Sequence, residues 1–348
     1  MIDSTDNITK EEAYRYLSDS KTIKRYLPVN AGYNKHSVWI YISPKSIIPG
    51  LAPQVIRLNH TLLDSVEVWV NDSCGLKHWA SMGNLSYKKW PALPAPIPGF
   101  VLPTERITDA LIKVKTTDVC ALSIESSDIW NFNRSILKVS SFFWLYFGAI
   151  CLLFIINFSL SIAMNSASFL WYSIYVMTFA FFQSAVCGFI SLWNFDFVPL
   201  IRNIVPLFGS LSVASGSLFA KSFLELKTCK FKFLYNMFTF FFITGLISTI
   251  LSLYQDGRFA SINLSILAPL FVITGLVVGL FSIPRMGRPA TLFSLGILML
   301  VIGIVLNALR NFGLLPDTTI TAHGNLFGSI LEFIIMTIAL VDRISKNE

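Results

Sequence analysis

Phe142-Phe143-Trp144-Leu145-Tyr146-Phe147-Gly148-Ala149-Ile150-Cys151-Leu152-Leu153-Phe154-Ile155-Ile156 holds no charged side chain, and the apolar character continues to Ala163. A run of about 20 such residues is what a helix needs to cross a hydrocarbon core about 30 Å thick. Six more apolar stretches follow, near 169–192, 204–223, 233–253, 262–283, 290–309 and 326–341, the last of them short. Trp144, Trp171, Trp193 and Tyr254 fall near the ends of these stretches, where amphipathic rings prefer the membrane interface. The expectation is a multi-pass protein with an α-helical bundle of seven spans over residues 140–345.

The loops orient the bundle. The loops after the third and fifth spans and the tail hold Lys221, Lys227, Lys230, Lys232, Arg285, Arg288, Arg343 and Lys346; the alternate loops hold Arg202, Arg258 and Arg310. The positive-inside rule then puts the C-terminus in the cytoplasm and the N-terminal region outside. An odd number of spans places a sensor and an output on opposite sides.

Upstream of the first span the chemistry changes. The chain is 54% hydrophobic and 14% charged, but 16 of its 27 basic and 13 of its 20 acidic residues precede Val139. That split suits a water-exposed domain joined to a lipid-embedded one. The net charge of +7 is spread over both parts without a basic run, so nucleic acid is not an expected partner. Within residues 1–135, Val38-Trp39-Ile40-Tyr41-Ile42 sets aliphatics against aromatics. Val66 to Val70, Ile112 to Val114 and Leu122 to Ile124 alternate apolar with polar, which marks half-buried strands. Gln54–Asn59, Leu76–Met82 and Phe100–Leu102 are further strand candidates, and Glu11–Leu17 a short helix. Prolines 91, 94, 96, 98 and 103 impose an extended loop. Six to eight short strands predict an all-β sandwich of the jelly-roll type.

Trp39, Tyr41, Trp69, Trp79 and Trp90 are the candidate ligand-binding residues of this head. Aromatic rings facing solvent stack on a sugar or another flat small molecule; the same rings can instead fill a second packing face. Cys74 and Cys120 are a candidate disulfide if the head faces an oxidising compartment, whereas Cys151, Cys187 and Cys229 lie in or beside apolar stretches. No cysteine–histidine spacing points to a metal, and no cofactor is expected. No apolar leader precedes the polar Asp3–Glu12 segment, so an outside head implies a leader already removed.

Within the spans, Glu332 stands among Phe, Ile and Leu about two turns into the last one. A buried acid is costly and marks either a tie between helices or a switching element. Arg310 closes the sixth span on the same outer side, with Asn307 one turn deeper, so Glu332 with Arg310 and Asn307 is the candidate relay site. Gly275-x-x-x-Gly279 hints at close helix packing.

Several motifs, in this order, resemble one family. They are Tyr146-Phe147-Gly148-Ala149-Ile150 with Asn157, Phe169-Leu170-Trp171-Tyr172-Ser173-Ile174-Tyr175, Phe219 to Lys227, Gly328-Ser329-Ile330-Leu331-Glu332, and Ala339-Leu340-Val341-Asp342-Arg343-Ile344. In the head, Ser37-Val38-Trp39, Leu63 to Trp69, Gly83 and Phe100-Val101-Leu102-Pro103 belong to the same likeness. The chain resembles the bacterial seven-transmembrane receptors with diverse intracellular signalling modules. The resemblance implies a receptor of the bacterial inner (cytoplasmic) membrane whose outer domain binds a small molecule or carbohydrate. Its seven spans then pass the signal to a cytoplasmic kinase, cyclase or similar module. The chain ends five residues after Arg343, so the output is expected from a cytoplasmic module or partner protein outside this chain. Membrane lipid and a second copy of the chain are the other expected partners, and no enzymatic activity is expected. The alternative class is a membrane transporter or non-catalytic membrane subunit. A retinal protein is disfavoured because Leu326–Val341 has no lysine, and a membrane enzyme because His36, His60, His78 and His323 are scattered.

Overall fold

The structure, a computed structural model, describes residues 1–3, 6–19, 29–33, 36–42, 54–61, 63–72, 75–83, 92–93, 95–102, 109–116, 119–189, 198–226, 232–254, 257–311, 314–315 and 319–345. Two compact units divide the chain. The first joins Met1–Ser140 to Ser184–Arg202, and the second holds Ser141–Gln183 and Asn203–Glu348.

The first unit is a β-sandwich. Strands β1 (Ile2–Asp3), β3 (Ser37–Ile42), β8 (Asp109–Lys115), β5 (Ser65–Asp72) and β6 (Gly75–Met82) form one antiparallel sheet in that order. Strands β10 (Ile124–Asp128), β4 (Gln54–Leu58) and β7 (Gly99–Val101) form a second, and β2 (Val29–Tyr33) pairs with β9 (Val119–Leu122). One aliphatic core joins them: Val38, Ile42, Val66, Val68, Ile112 and Val114 from the first sheet meet Ile56, Leu58, Phe100 and Leu122. Alternation in β3 sends its aliphatics into this core and its aromatics to the other face, as a period of two requires. The apparent strand through Leu122 and Ile124 is two strands in two sheets, broken at Ser123. Gly83, at φ 125°, ends β6 where a Cβ would sit 2.6 Å from the Asp64 carbonyl oxygen, so only glycine fits that turn.

The other face of the five-stranded sheet is covered by α1 (Lys10–Asp19). The helix begins with a reciprocal cap: Glu12 N–H donates to Thr9 Oγ1 at 3.3 Å and Thr9 N–H to Glu12 Oε2 at 3.0 Å. Ala13, Tyr14 and Leu17 lie against Trp39, Trp69 and Leu111.

Strand β10 runs straight into α2 (Ile129–Ala163), where Asp128 Oδ1 accepts the Asn131 N–H at 2.7 Å and caps the helix. The 35 residues of α2 extend about 52 Å at 1.5 Å per residue, well beyond the expected span at 142–163. Its first turns belong to the sandwich: Phe132 packs with Val55 and Val101, and Arg57 donates to Ser135 Oγ at 2.7 Å and pairs with Glu125.

Among the described residues, six further helices are long and apolar enough to cross a membrane: α3 (Ala167–Val186), α4 (Val198–Phe223), α5 (Lys232–Tyr254), α6 (Gly257–Met286), α7 (Arg288–Asn311) and α9 (Gly324–Ser345). The four-residue α8 (Thr319–Ala322) precedes the last. The second span ends at Val186 rather than near 192, and the last is a full 22 residues rather than short. Serines and threonines inside the spans return hydrogen bonds to carbonyls one turn back, as Ser217 does to Val213 O at 2.7 Å. Lipid offers no water for a free hydroxyl, so the bond is made locally.

The tightest helix contact is between α7 and α9. A Cβ on Gly303 would lie 2.4 Å from Gly324 O and 3.0 Å from Gly328 Cα, and one on Gly328 would lie 2.8 Å from Met299 O. The two backbones touch because glycine stands on both sides. Gly328→Val therefore costs about 1–3 kcal/mol through overpacking. Gly148→Val, whose Cβ would meet nothing within 4 Å, stays within about 0.5 kcal/mol of the parent. Unfolding in detergent followed by circular dichroism checks the contrast; equal effects would mean that the backbone contact is not needed.

Candidate functional site

In the head, the aromatic face is roofed over. Trp39 and Trp69 are 2% and 7% exposed, with ring centroids 5.5 Å apart, and the Lys113 ammonium lies 5.0 Å from the Trp39 ring centroid. Both rings are packing residues under α1, not free stacking surfaces, because Ala13, Tyr14 and Leu17 occupy the face that a ligand would need. Trp79 is half-buried against the aliphatic core, and its indole N–H donates to Val101 O at 2.8 Å. Trp90 and Cys74 lie outside the described residues, as does the side chain of Cys120.

Tyr41 belongs to a polar knot. Tyr14 and Tyr41 donate to Asp109 Oδ2 at 2.5 and 3.0 Å, and Asn71 Nδ2 donates to the Tyr14 hydroxyl at 2.8 Å. Asp109 opens β8 and Tyr14 sits on α1, so the carboxylate fastens the helix to the sheet. Burial, then the hydrogen bond to Asp109 and its charge, pushes the Tyr14 hydroxyl up to about 12, and the same causes raise Tyr41.

In the second unit, polar side chains recur along α9 and meet partners on neighbouring helices. Glu332 is 3% exposed, and Tyr175 on α3 donates to its Oε1 at 3.0 Å. One residue on, Tyr172 donates to Phe333 O at 2.6 Å. Tyr146 on α2 shares a 2.9 Å hydrogen bond with Ser329, and Asn157 Nδ2 donates to Thr337 Oγ1 at 3.0 Å. Every family-like stretch in the first two spans thus meets the last one. A cavity of about 30 Å³ adjoins Glu332 and Tyr175 between α3, α4, α5, α6, α7 and α9.

The side chain of Arg310, the expected partner of Glu332, lies outside the described residues. Gly296 faces the Glu332 carbonyl, 3.5 Å from where its Cβ would be, while the Asn307 backbone nitrogen lies level with Gly324. Along the backbone of α7, position 310 is about 21 Å from Gly296. Asn307 is half-buried near the start of α9 and is likewise remote from the acid.

At the far end of α9, Arg343 holds three elements. Its Nη1 donates to Ser168 Oγ and to Ser222 O, both at 3.0 Å, and Nη2 to Glu225 Oε1 at 2.7 Å. Ser168 and Ser222 also bond each other at 2.7 Å. The guanidinium therefore caps the C-terminus of α4, where exposed carbonyls and the helix dipole favour a cation. Glu225 follows that terminus with φ 47°. Beside it, Arg288 lies 3.6 Å from Asp342, and Lys221 Nζ donates to Thr239 Oγ1 at 2.9 Å over the Tyr235 ring. Both halves of this clamp lie in stretches singled out in the sequence; the surplus of basic residues at these helix ends was the available signal. No group of three or more metal-ligating side chains occurs among the described residues.

A β-rich N-terminal domain followed by seven membrane-length helices, tied together through the last of them, defines a multi-pass seven-transmembrane receptor of the signalling class. The family described as 7TM diverse intracellular signalling matches residues 140–343, and the chain belongs to that family. Comparison with curated proteins gives no match.

Two outcomes follow from these sites. Tyr14 holds its proton more tightly in the folded chain than the ordinary tyrosine value of 10.0. Its contribution to stability is whole below pH 10 and is lost as pH rises to about 12. Ultraviolet tyrosinate titration of the parent against Tyr14→Phe should show the missing group ionising late, near 12 rather than 10. Second, Tyr175→Phe and Glu332→Gln should couple, by on the order of 0.5–1.5 kcal/mol in a double-mutant cycle of unfolding in detergent. Additive losses would dissolve the pair.

Proposed function

We propose that the head receives a small molecule, with carbohydrates among the candidates, on the outer side of a bacterial cytoplasmic membrane. The seven helices then relay that event to a cytoplasmic signalling module or partner protein, and the chain itself catalyses no reaction. The single observation that carries this reading is the convergence on α9. It is bonded to α2 by Ser329 and Thr337, to α3 by Glu332 and Phe333, and to the ends of α3 and α4 by Arg343. A helix held by a few discrete bonds at several levels has alternative packed positions, and such shifts of one element past its neighbours are how bundles transmit a signal.

Two further features support the reading. Arg343, Arg288 and Lys221 gather at one end of the bundle, as cytoplasmic helix ends do. Strand β10 passes directly into α2, whose start is capped by Asp128 and braced by Phe132 in the head core.

A reporter fused after Glu348 should be cytoplasmic, while a cysteine at Asp72 should react with an impermeant reagent added to intact cells. With a signalling module attached behind α9, Arg343→Ala should shift basal output several-fold while the protein still reaches the membrane. A translocated reporter would overturn the orientation, and an unchanged output would remove the α9 clamp from the relay.

A further inference from the structure

Glu332 Oε1 is occupied by the Tyr175 hydroxyl, but Oε2, fully enclosed, has no hydrogen-bond partner among the described residues. A carboxyl oxygen left so in an apolar interior costs a full desolvation penalty. Oε2 belongs to the residue that walls the cavity of about 30 Å³ between the helices. The other walls include Phe219, Phe293 and Met336, which offer no donor. Glycine keeps the space open at two points. A Cβ on Gly216 would come within 3.0 Å of Phe271 and 3.1 Å of Tyr175, and one on Gly275 within 3.0 Å of Ile297.

We propose that this chamber is a hydration site within the membrane bundle, binding one or two water molecules between Glu332 Oε2 and the Tyr175 hydroxyl oxygen. Size selects the ligand: a water occupies roughly 10–15 Å³ on this measure, whereas a cavity that takes benzene is about 150 Å³. Chemistry selects it as well. Water both donates and accepts, so it satisfies the carboxyl oxygen and the tyrosine oxygen together, and two polar partners are the minimum for an ordered internal water. A bond made through water can lengthen or exchange without breaking, so the α3–α9 contact at Glu332 can follow a small movement of α9. The site stands independently of the receptor reading, since it rests on the cavity and the acid alone.

The test is X-ray radiolytic labelling of the full chain in lipid nanodiscs and oxygen-18 water, read by mass spectrometry. Tyr175 and Tyr146 are matched probes, 5% and 1% exposed, and only Tyr175 borders the chamber. Tyr175 and Met336 should take up labelled oxygen several-fold faster than Tyr146. Glu332→Gln, which keeps size and hydrogen bonding, should retain the difference, and Glu332→Leu should abolish it. Equal labelling of Tyr175 and Tyr146 in the parent chain would overturn the proposal. So would a difference that survives Glu332→Leu in protein that still labels normally at its exposed sites.

Discussion

The contact on which the bundle depends is the approach of α7 and α9 to backbone distance. Lipid tails are as apolar as the helices, so burying leucine gains little there, and close packing must hold the helices together. Gly303 against Gly324 and Gly328 supplies it. Once these backbones meet, the antiparallel register of the two helices is set. That register brings Gly296 to the level of Glu332 and leaves the end of α7 far from it. The identity of the acid's partner is thus a consequence of where small residues allow contact.

With α9 placed, its polar residues find partners at successive depths. Ser329, Glu332, Thr337 and Arg343 bond to α2, α3, α2 and the ends of α3 and α4 in turn. In a medium without water each of these groups would be expensive alone, and together they tie the last span to its neighbours. The outermost of these ties, through Arg343, has three partners. Arg343 combines a carboxylate, a carbonyl at a helix C-terminus and a hydroxyl, and it lies 5.5 Å from the Phe223 ring centroid.

The head follows a different economy. Its core is aliphatic and forms between sheets, while its aromatic face is closed by α1 and locked through Asp109. Alternation in Val38–Ile42 states which side chains share a face, and that much was legible. It does not state whether solvent, a ligand or a helix lies above the face. Spacing alone leaves Trp39 and Trp69 readable as either packing or binding residues, and the helix lying over them makes them packing residues. The helix itself was legible as Glu11–Leu17, but its docking was not, since residue spacing carries no distance between elements remote in the chain.

The amino-acid sequence by itself determined the seven spans, the strand-rich head, the burial of Glu332 and the surplus of basic residues at one set of helix ends. Each of these is a local property: the length of an apolar run, a period of two, one acid among leucines, a count of lysines and arginines. Tertiary structure alone decided that Tyr175, 157 residues away, bonds Glu332, and that Arg343 clamps Glu225, 118 residues away. It also decided that α2 begins within the head rather than at the membrane, through a cap and a core contact that hydropathy does not register. The physical reason is the same in each case. Apolarity fixes which side chains leave water, but the partner a buried polar group meets depends on helix register, and register is set by the few glycines at which backbones can touch.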